Sequence, residues 1–89
     1  MNMDFDSLRE RLEELSFPNV YMYKFIVKSD LQKIAQIESL FQPEKAEIIR
    51  KESSKGAFIS ITVKEVMLSA DEIISVYERA AKIEGVITL

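Results

Sequence analysis

The sequence predicts one α+β domain with a four-stranded antiparallel sheet, because strand and helix patterns alternate along its 89 residues. Runs of β-branched and aromatic residues predict strands. Apolar residues spaced three and four positions apart predict helices. After an N-terminal helix the order is strand, helix, strand, strand, helix, strand, so the two halves of the domain share one architecture.

The N-terminal segment, residues 1–16, is predicted to be a short amphipathic helix. It carries five acidic residues and two arginines, whereas residues 17–89 contain ten acidic and ten basic residues. Pro18 follows the segment and is expected to stop the helix. The apolar positions that share one helical stripe are Phe5, Leu8, Leu12 and Leu15. We expect this helix to cover an exposed edge of its own domain, and docking onto a partner is the alternative.

The first half of the domain is predicted to be a strand, a helix and a second strand. Residues 20–28 form an apolar and aromatic run that predicts a central strand. Ser29 and Gln32 form a capping box, which predicts the start of a helix that ends before Pro43. The apolar stripe of this helix is Leu31, Ile34, Ile37 and Phe41. Residues 46–52 are polar-rich and are expected to form a strand at an exposed edge of the sheet.

The second half repeats this order after a turn. Residues 57–64 alternate between apolar and polar side chains and predict a half-buried strand. Ser69 and Glu72 form a second capping box, and Gly85 is expected to end the helix that begins there. The stripe of that helix is Ile73, Val76, Tyr77, Ala80 and Ile83. Residues 86–89 predict a short last strand.

Right-handed crossover connections leave few arrangements for this order of elements. They predict a ferredoxin-like β-α-β-β-α-β sandwich with strand order 4-1-3-2 and two helices on one face, preceded by the N-terminal amphipathic helix. The predicted domain therefore spans residues 17–89. Its core face is predicted to carry Tyr21, Tyr23, Phe25, Val27, Ile59, Ile61 and Val63. Its opposite face is predicted to carry Met22, Lys24, Ile26, Lys28, Phe58, Ser60, Thr62 and Lys64.

The composition excludes several classes of chemistry. The chain has no cysteine and no histidine, so disulfides, thiol chemistry and zinc sites built on these residues are excluded. Only oxygen-ligand ions such as magnesium stay open. No catalytic residue, metal site or cofactor is predicted. The acidic start and the lack of a long apolar run argue against a secretion signal and a membrane span, so we expect a cytoplasmic protein.

Nucleic acid is not an expected partner. Lysines and Phe58 on the open sheet face resemble the surface on which RNA-recognition domains stack bases. Those domains place several aromatic residues centrally, however, and residues 17–89 have no net positive charge.

The turn Ser53-Ser54-Lys55-Gly56 is the candidate binding site of the sequence. Two hydroxyls, an ammonium group and a glycine are the groups that an anion-binding loop needs. The competing interpretation is a hairpin that uses Gly56 for a positive φ angle, and it is favoured because a P-loop would need a strand-to-helix setting and a second glycine.

Several short sequence matches are spread over about residues 17–89: Phe17-Pro18, Tyr23-Lys24, Ser53-Ser54-Lys55-Gly56, Ser60, Val76-Tyr77 and Gly85-Val86. Together they resemble the bacterial YbeD-like family. The resemblance implies a small, cytoplasmic, bacterial domain with a ferredoxin-like fold, similar to the ACT-type regulatory domains of amino-acid enzymes. It implies no established activity.

Two functional hypotheses follow. The first is a non-enzymatic, ACT-like regulatory or small-molecule-binding module, and a homodimer belongs to it because ligands of ACT-type domains lie at domain interfaces. The alternative is a protein-interaction adaptor that docks through its N-terminal helix or its exposed edge strand. Neither hypothesis includes enzymatic activity.

Overall fold

The structure, a computed structural model, describes residues 4–89, and residues 1–3 of the predicted N-terminal helix lie outside the described residues. In chain order the elements are α1 (Phe5–Glu13), β1 (Asn19–Lys28), α2 (Leu31–Glu38), β2 (Glu47–Glu52), β3 (Phe58–Met67), α3 (Ala70–Ala81) and β4 (Ile87–Thr88).

The four strands form one antiparallel sheet in the order β2-β3-β1-β4, which confirms the predicted ferredoxin-like order 4-1-3-2. The two long strands β1 and β3 lie in the centre and pair along their whole length, with Tyr23 opposite Val63. β3 continues to Met67 because residues 65–67 pair with the start of β1, three residues beyond the predicted end of this strand.

The core lies between one face of the sheet and the helices. Tyr23, Phe25 and Val27 alternate inward along β1, as predicted, and each is at most 1% exposed. The buried residues that α2 and α3 contribute to this core are Ile34, Ile37, Ala70, Ile73, Ile74, Val76, Tyr77 and Ala80. The apolar period therefore identified the buried face of β1 and most of the buried residues of the helices, although Ala70 and Ile74 lie outside the predicted stripe of α3.

The helix α1 packs on α3 and joins the same core. Leu12 is 4% exposed, and Phe5 and Leu8 pack against the buried cluster. An ion pair between Arg9 and Asp71 joins the two helices at their surface. The hydrogen bond to Asp71 is the main cause that raises the pKa of Arg9. The predicted boundary between residues 16 and 17 stays a prediction, but the helix covers the helical layer of its own domain.

Three expected helix limits are wrong. Asp30, not Ser29, caps α2, because its carboxylate accepts the Gln32 N–H at 2.8 Å. α1 ends at Glu13, so Leu15 lies beyond the helix and is exposed. α3 ends at Ala81 with Lys82 as its C-cap, and Gly85 instead supplies a positive φ of 81° in the turn before β4. The predicted cap at Ser69 is confirmed, since its hydroxyl accepts the Glu72 N–H at 3.1 Å.

The predicted apolar stripe of α2 also needs one correction. Leu31 is 84% exposed, whereas Ile34, Ile37 and Phe41 are buried. Leu31 is the first residue of the helix, directly after the Asp30 cap. It therefore lies outside the core that the rest of the stripe enters.

Candidate functional site

The sheet face opposite the core is left open by the helices, which pack on the other face, and we call it the outer face. It consists of the residues of each strand that alternate with the core residues. The β1·β3 register confirms the predicted positions of Met22, Lys24, Ile26, Lys28, Phe58, Ser60, Thr62 and Lys64 on this face. The β1·β3 register also adds Val20 opposite Val66. The pairings with β2 and β4 add further residues that the sequence did not place there: Glu47, Ile49, Lys51, Ile87 and, by continuation of β4, Leu89.

The outer face is unusually apolar for an exposed surface. Among the described residues, ten large hydrophobic side chains are exposed, and seven of them lie on this face. These seven are Val20, Met22, Ile49, Phe58, Val66, Ile87 and Leu89. Single apolar residues on a surface need no explanation, but seven on one sheet face favour an interaction surface, in which lysines are interspersed.

The same face is also basic. Lys24, Lys28, Lys51 and Lys64 lie on it together with one acid, Glu47, so its net charge is +3. The whole chain carries −3, and the remaining surface therefore carries −6. The neutral composition of residues 17–89 hid this separation, because the lysines come from three strands and meet only through the strand register.

The turn at residues 53–56 is a hairpin between β2 and β3. Ser53 donates its N–H to the Phe58 carbonyl at 2.9 Å, and the Ser53 hydroxyl accepts the Phe58 N–H at 3.1 Å. Gly56 has a φ of 71° and donates its N–H to the Ser53 carbonyl at 2.9 Å. These contacts account for Ser53 and Gly56 as hairpin residues. Anion binding by the exposed residues Ser53, Ser54, Lys55 and Gly56 stays a prediction.

A shallow cavity of about 390 Å³ lies beside this hairpin on the outer face. Its walls include Ile26 and Phe58, with Lys51, Glu52 and Ser60 at its side. Apolar walls beside an ammonium group and a carboxylate suit an apolar side chain that is accompanied by polar groups.

A second cavity, of about 410 Å³, lies where the loop before β2 meets the loop before α3. Its two carboxylates hold backbone groups: Glu65 accepts the Gln42 N–H at 3.2 Å, and Glu72 accepts the Leu68 N–H at 3.1 Å. We assign this cleft a structural role, since each carboxylate accepts a backbone N–H from a loop and so holds that loop in place.

Three tyrosines, two from β1 and one from α3, form a cluster on the core face of the sheet. The Tyr21 and Tyr77 hydroxyls are 3.0 Å apart and share a hydrogen bond. The buried Tyr23 hydroxyl has no hydrogen-bond partner among residues 4–89. Burial raises the pKa of both Tyr23 and Tyr77 well above the ordinary tyrosine value. The phenols of Tyr23 and Tyr77 therefore stay neutral into the alkaline range.

Replacing Tyr23 by Phe is expected to raise the free energy of unfolding by about 1 kcal/mol, because an unpaired buried hydroxyl is removed. The gain should grow above about pH 10, where the unfolded tyrosine ionises and the folded one does not, so that the wild type loses stability as the pH rises. Urea unfolding near pH 7 and at about pH 11 measures both effects.

The matched control for this substitution is Tyr21→Phe. It removes a hydroxyl that is paired with Tyr77, so it should lower the free energy of unfolding by about 1 kcal/mol. If Tyr23→Phe destabilised the chain as much as Tyr21→Phe, the Tyr23 hydroxyl would have a partner after all.

The part of the chain that the structure describes, residues 4–89, contains neither a cluster of metal-ligating side chains nor a helix fit to span a membrane. No group of three or more acidic, histidine or cysteine side chains comes together there in a way that would hold a metal ion. None of the helices in this part of the chain has the length and apolar character needed to cross a membrane.

One protein-family model matches residues 12–89, and it describes a protein of unknown function, DUF493. The chain belongs to this family. The DUF493 match starts at Leu12, the buried residue of α1, and includes every strand of the sheet and thus the entire outer face. No curated protein and no solved structure matches the chain.

Proposed function

We propose that this DUF493 chain is a non-enzymatic binding module whose outer face docks an acidic, partly apolar segment of another protein. The observation that carries this proposal is the combination of seven exposed large apolar side chains with a net charge of +3 on one sheet face. Apolar contacts would supply most of the binding free energy, and the lysines would select partners with negative charge.

The chemistry of the face favours protein over nucleic acid. Its exposed apolar residues are aliphatic apart from Phe58, which lies at the hairpin end of β3. Single-stranded nucleic acid binds by stacking on several aromatic rings, and only one is offered here. The net charge of −6 on the remaining surface would also repel a long polyanion.

A second copy does not fit this face when it packs sheet against sheet. That arrangement would bring two faces of charge +3 into contact and would bury lysines against lysines. An acidic amphipathic helix fits better, because helices already cover the opposite face of the sheet through the same type of layer packing.

The proposed function is therefore still that of a protein-interaction adaptor, but the docking surface is the outer face instead of the N-terminal helix or the edge strand. The apolar side of α1 is occupied, since Leu12 is buried and Phe5 and Leu8 pack on the core. The outer face is the better candidate because its apolar side chains are exposed.

The ACT-like regulatory role is a second proposal, as are the YbeD-like name and a cytoplasmic location. The resemblance of residues 17–89 to the YbeD-like family supports them, and the cavity of about 390 Å³ beside the hairpin supports a small ligand. In this version of the function, an amino acid or a small anion would bind and alter the contacts of the module with a partner enzyme.

The docking proposal is tested with a designed helical peptide whose leucine stripe is flanked by glutamates, titrated against the protein by isothermal calorimetry. The same peptide with lysines in place of the glutamates is the control ligand. The acidic peptide should bind at least about tenfold more tightly than the basic one, and its affinity should fall with rising salt. Equal affinity for both peptides, or no binding of either, contradicts the proposal.

Charge-reversed variants locate the site. Lys24→Glu, in the middle of the outer face, should weaken acidic-peptide binding by about tenfold. Lys82→Glu, at the end of α3, makes the same change of charge on the helical layer and should leave binding unchanged. Free amino acids and inorganic phosphate, added to the wild type in thermal-shift assays, test the regulatory version: a higher melting temperature without peptide binding favours it over docking.

A further inference from the structure

Within the described residues 4–89, the edge strand β2 has no partner on one of its sides. β2 pairs with β3 on one side and is the last strand of the sheet on the other, and nearly all of its residues are exposed. Ser53 donates its N–H to Phe58, and hydrogen-bonded pairs alternate along an antiparallel ladder. The N–H and C=O groups of Ile48, Arg50 and Glu52 therefore point to the free side.

A second β2 strand could add to this side in only a few registers. In a two-fold antiparallel pair, opposite residues share one face of the sheet, so the axis must pass midway between the two copies of a single residue, which lie opposite each other. An axis at Arg50 would place Arg50 opposite itself, and an axis at Lys51 would do the same for Lys51. An axis at Ile48 would leave Glu47 opposite an apolar residue.

The register centred on Ile49 is complementary at each position of the outer face. Ile49 lies opposite Ile49 of the second copy, and Glu47 lies opposite Lys51 on both sides of the axis. These are the non-hydrogen-bonded pairs of the new ladder, in which side chains approach most closely. Ile48 and Arg50 lie opposite each other and supply the first backbone hydrogen bonds between the copies.

We propose that two copies of this chain associate through antiparallel pairing of β2 with β2, centred on Ile49, to form one continuous eight-stranded sheet. Charged residues on an edge strand usually oppose pairing with another chain. In β2 the charged residues favour one register instead, because Glu47 and Lys51 carry opposite charges at equal distances on either side of Ile49. Arg50 is already neutralised within its own chain, where it forms a two-bonded ion pair with Glu38 that includes a contact of 2.6 Å.

The pairing goes beyond the proposed docking function and does not depend on it. The β2 edge lies beside the outer face, so pairing leaves that face open and joins the two outer faces side by side. Oligomeric state therefore reports on the edge, whereas peptide titration reports on the face, and each proposal can fail without the other.

A charge exchange tests the register by sedimentation equilibrium over a concentration series. Glu47→Lys alone places lysines opposite lysines, and Lys51→Glu alone places glutamates opposite glutamates. Each single variant should weaken dimerisation by about tenfold or more, since two symmetric pairs change sign. The double variant with both substitutions restores opposite charges at both pairs and should recover the dimer.

Lys28→Glu serves as the matched control, because it reverses a lysine of the outer face on the central strand β1, away from the free edge. It should dimerise like the wild type, and circular dichroism verifies that each variant is folded. A wild type that stays monomeric at its highest attainable concentration overturns the proposal. Folded single variants that still dimerise, or a folded double variant that does not, overturn it equally.

Discussion

Replacing Phe25 by Ala is expected to lower the free energy of unfolding by about 3–5 kcal/mol. Phe25 is fully buried on the central strand β1, where its ring forms a cluster with those of Tyr23 and Phe41, each with its centroid 6.2 Å away. Truncation removes the burial of the ring and leaves a cavity that the rigid sheet cannot close. Small domains are stable by only about 5–15 kcal/mol, so this one change removes a large part of the total. Urea unfolding followed by circular dichroism measures the loss.

Met22→Ala is the control on the same strand. Met22 lies three residues earlier, on the outer face, and is 57% exposed. Its truncation should change the free energy of unfolding by about 0.5 kcal/mol or less. A comparable cost for both substitutions would show that the outer face is covered in solution, which would contradict the assignment of an open face.

Replacing Leu12 by Ala is expected to lower the free energy of unfolding by about 2–5 kcal/mol. Leu12 is 4% exposed and is the buried anchor of α1 in the shared core. The size of this loss shows whether α1 is an integral part of the domain core or a peripheral helix that makes only surface contacts. Equilibrium unfolding with far-ultraviolet and near-ultraviolet signals should still show one transition, because α1 and the sheet share one core.

Leu15→Ala provides the comparison, since Leu15 has the same side chain, lies beyond the end of α1 and is 40% exposed. Its truncation should cost well under half as much as that of Leu12. If Leu12→Ala were as mild as Leu15→Ala, α1 would not be held by the core, and docking onto a partner, the alternative for residues 1–16, would be favoured.

Much of the fold could be predicted because its determinants are local. Alternation along β1 distinguishes the buried Tyr23, Phe25 and Val27 from the exposed Lys24, since a strand turns successive side chains to opposite faces. Ser69 could be recognised as a helix cap from its spacing to Glu72. Strand order followed from the limited set of right-handed connections.

The helix limits were harder, because neighbouring residues compete for one role. Ser29 and Asp30 are both good N-cap residues, and the Ser29-to-Gln32 spacing favoured the wrong one. In the structure the Asp30 carboxylate accepts the Gln32 N–H. Gly85 likewise could end α3 or turn the chain into β4, and only the backbone path shows that it does the second.

The outer face, the candidate site, could likewise be predicted only in part from the sequence. The lysines of β1 and β3 and Phe58 were placed on one face by alternation alone. Ile49 and Lys51 joined them only when the β2·β3 register was known, because the position of one strand beside another depends on residues far apart in sequence. Summed charge could not indicate a basic face, since composition does not distinguish the side of a sheet from which a charge projects.

The spacing of apolar residues, the helix caps and the turn residues were thus enough to specify a ferredoxin-like sandwich and most of its core residues. Composition by itself excluded cysteine and histidine chemistry. Tertiary structure decided between the two roles left open for α1, assembled apolar and basic side chains from four strands into one open face, and showed which backbone groups of β2 point to the free edge. The physical reason is the range of the interactions. Local patterns determine which way a side chain points along its own element, whereas a surface is assembled from elements that only packing and register bring together.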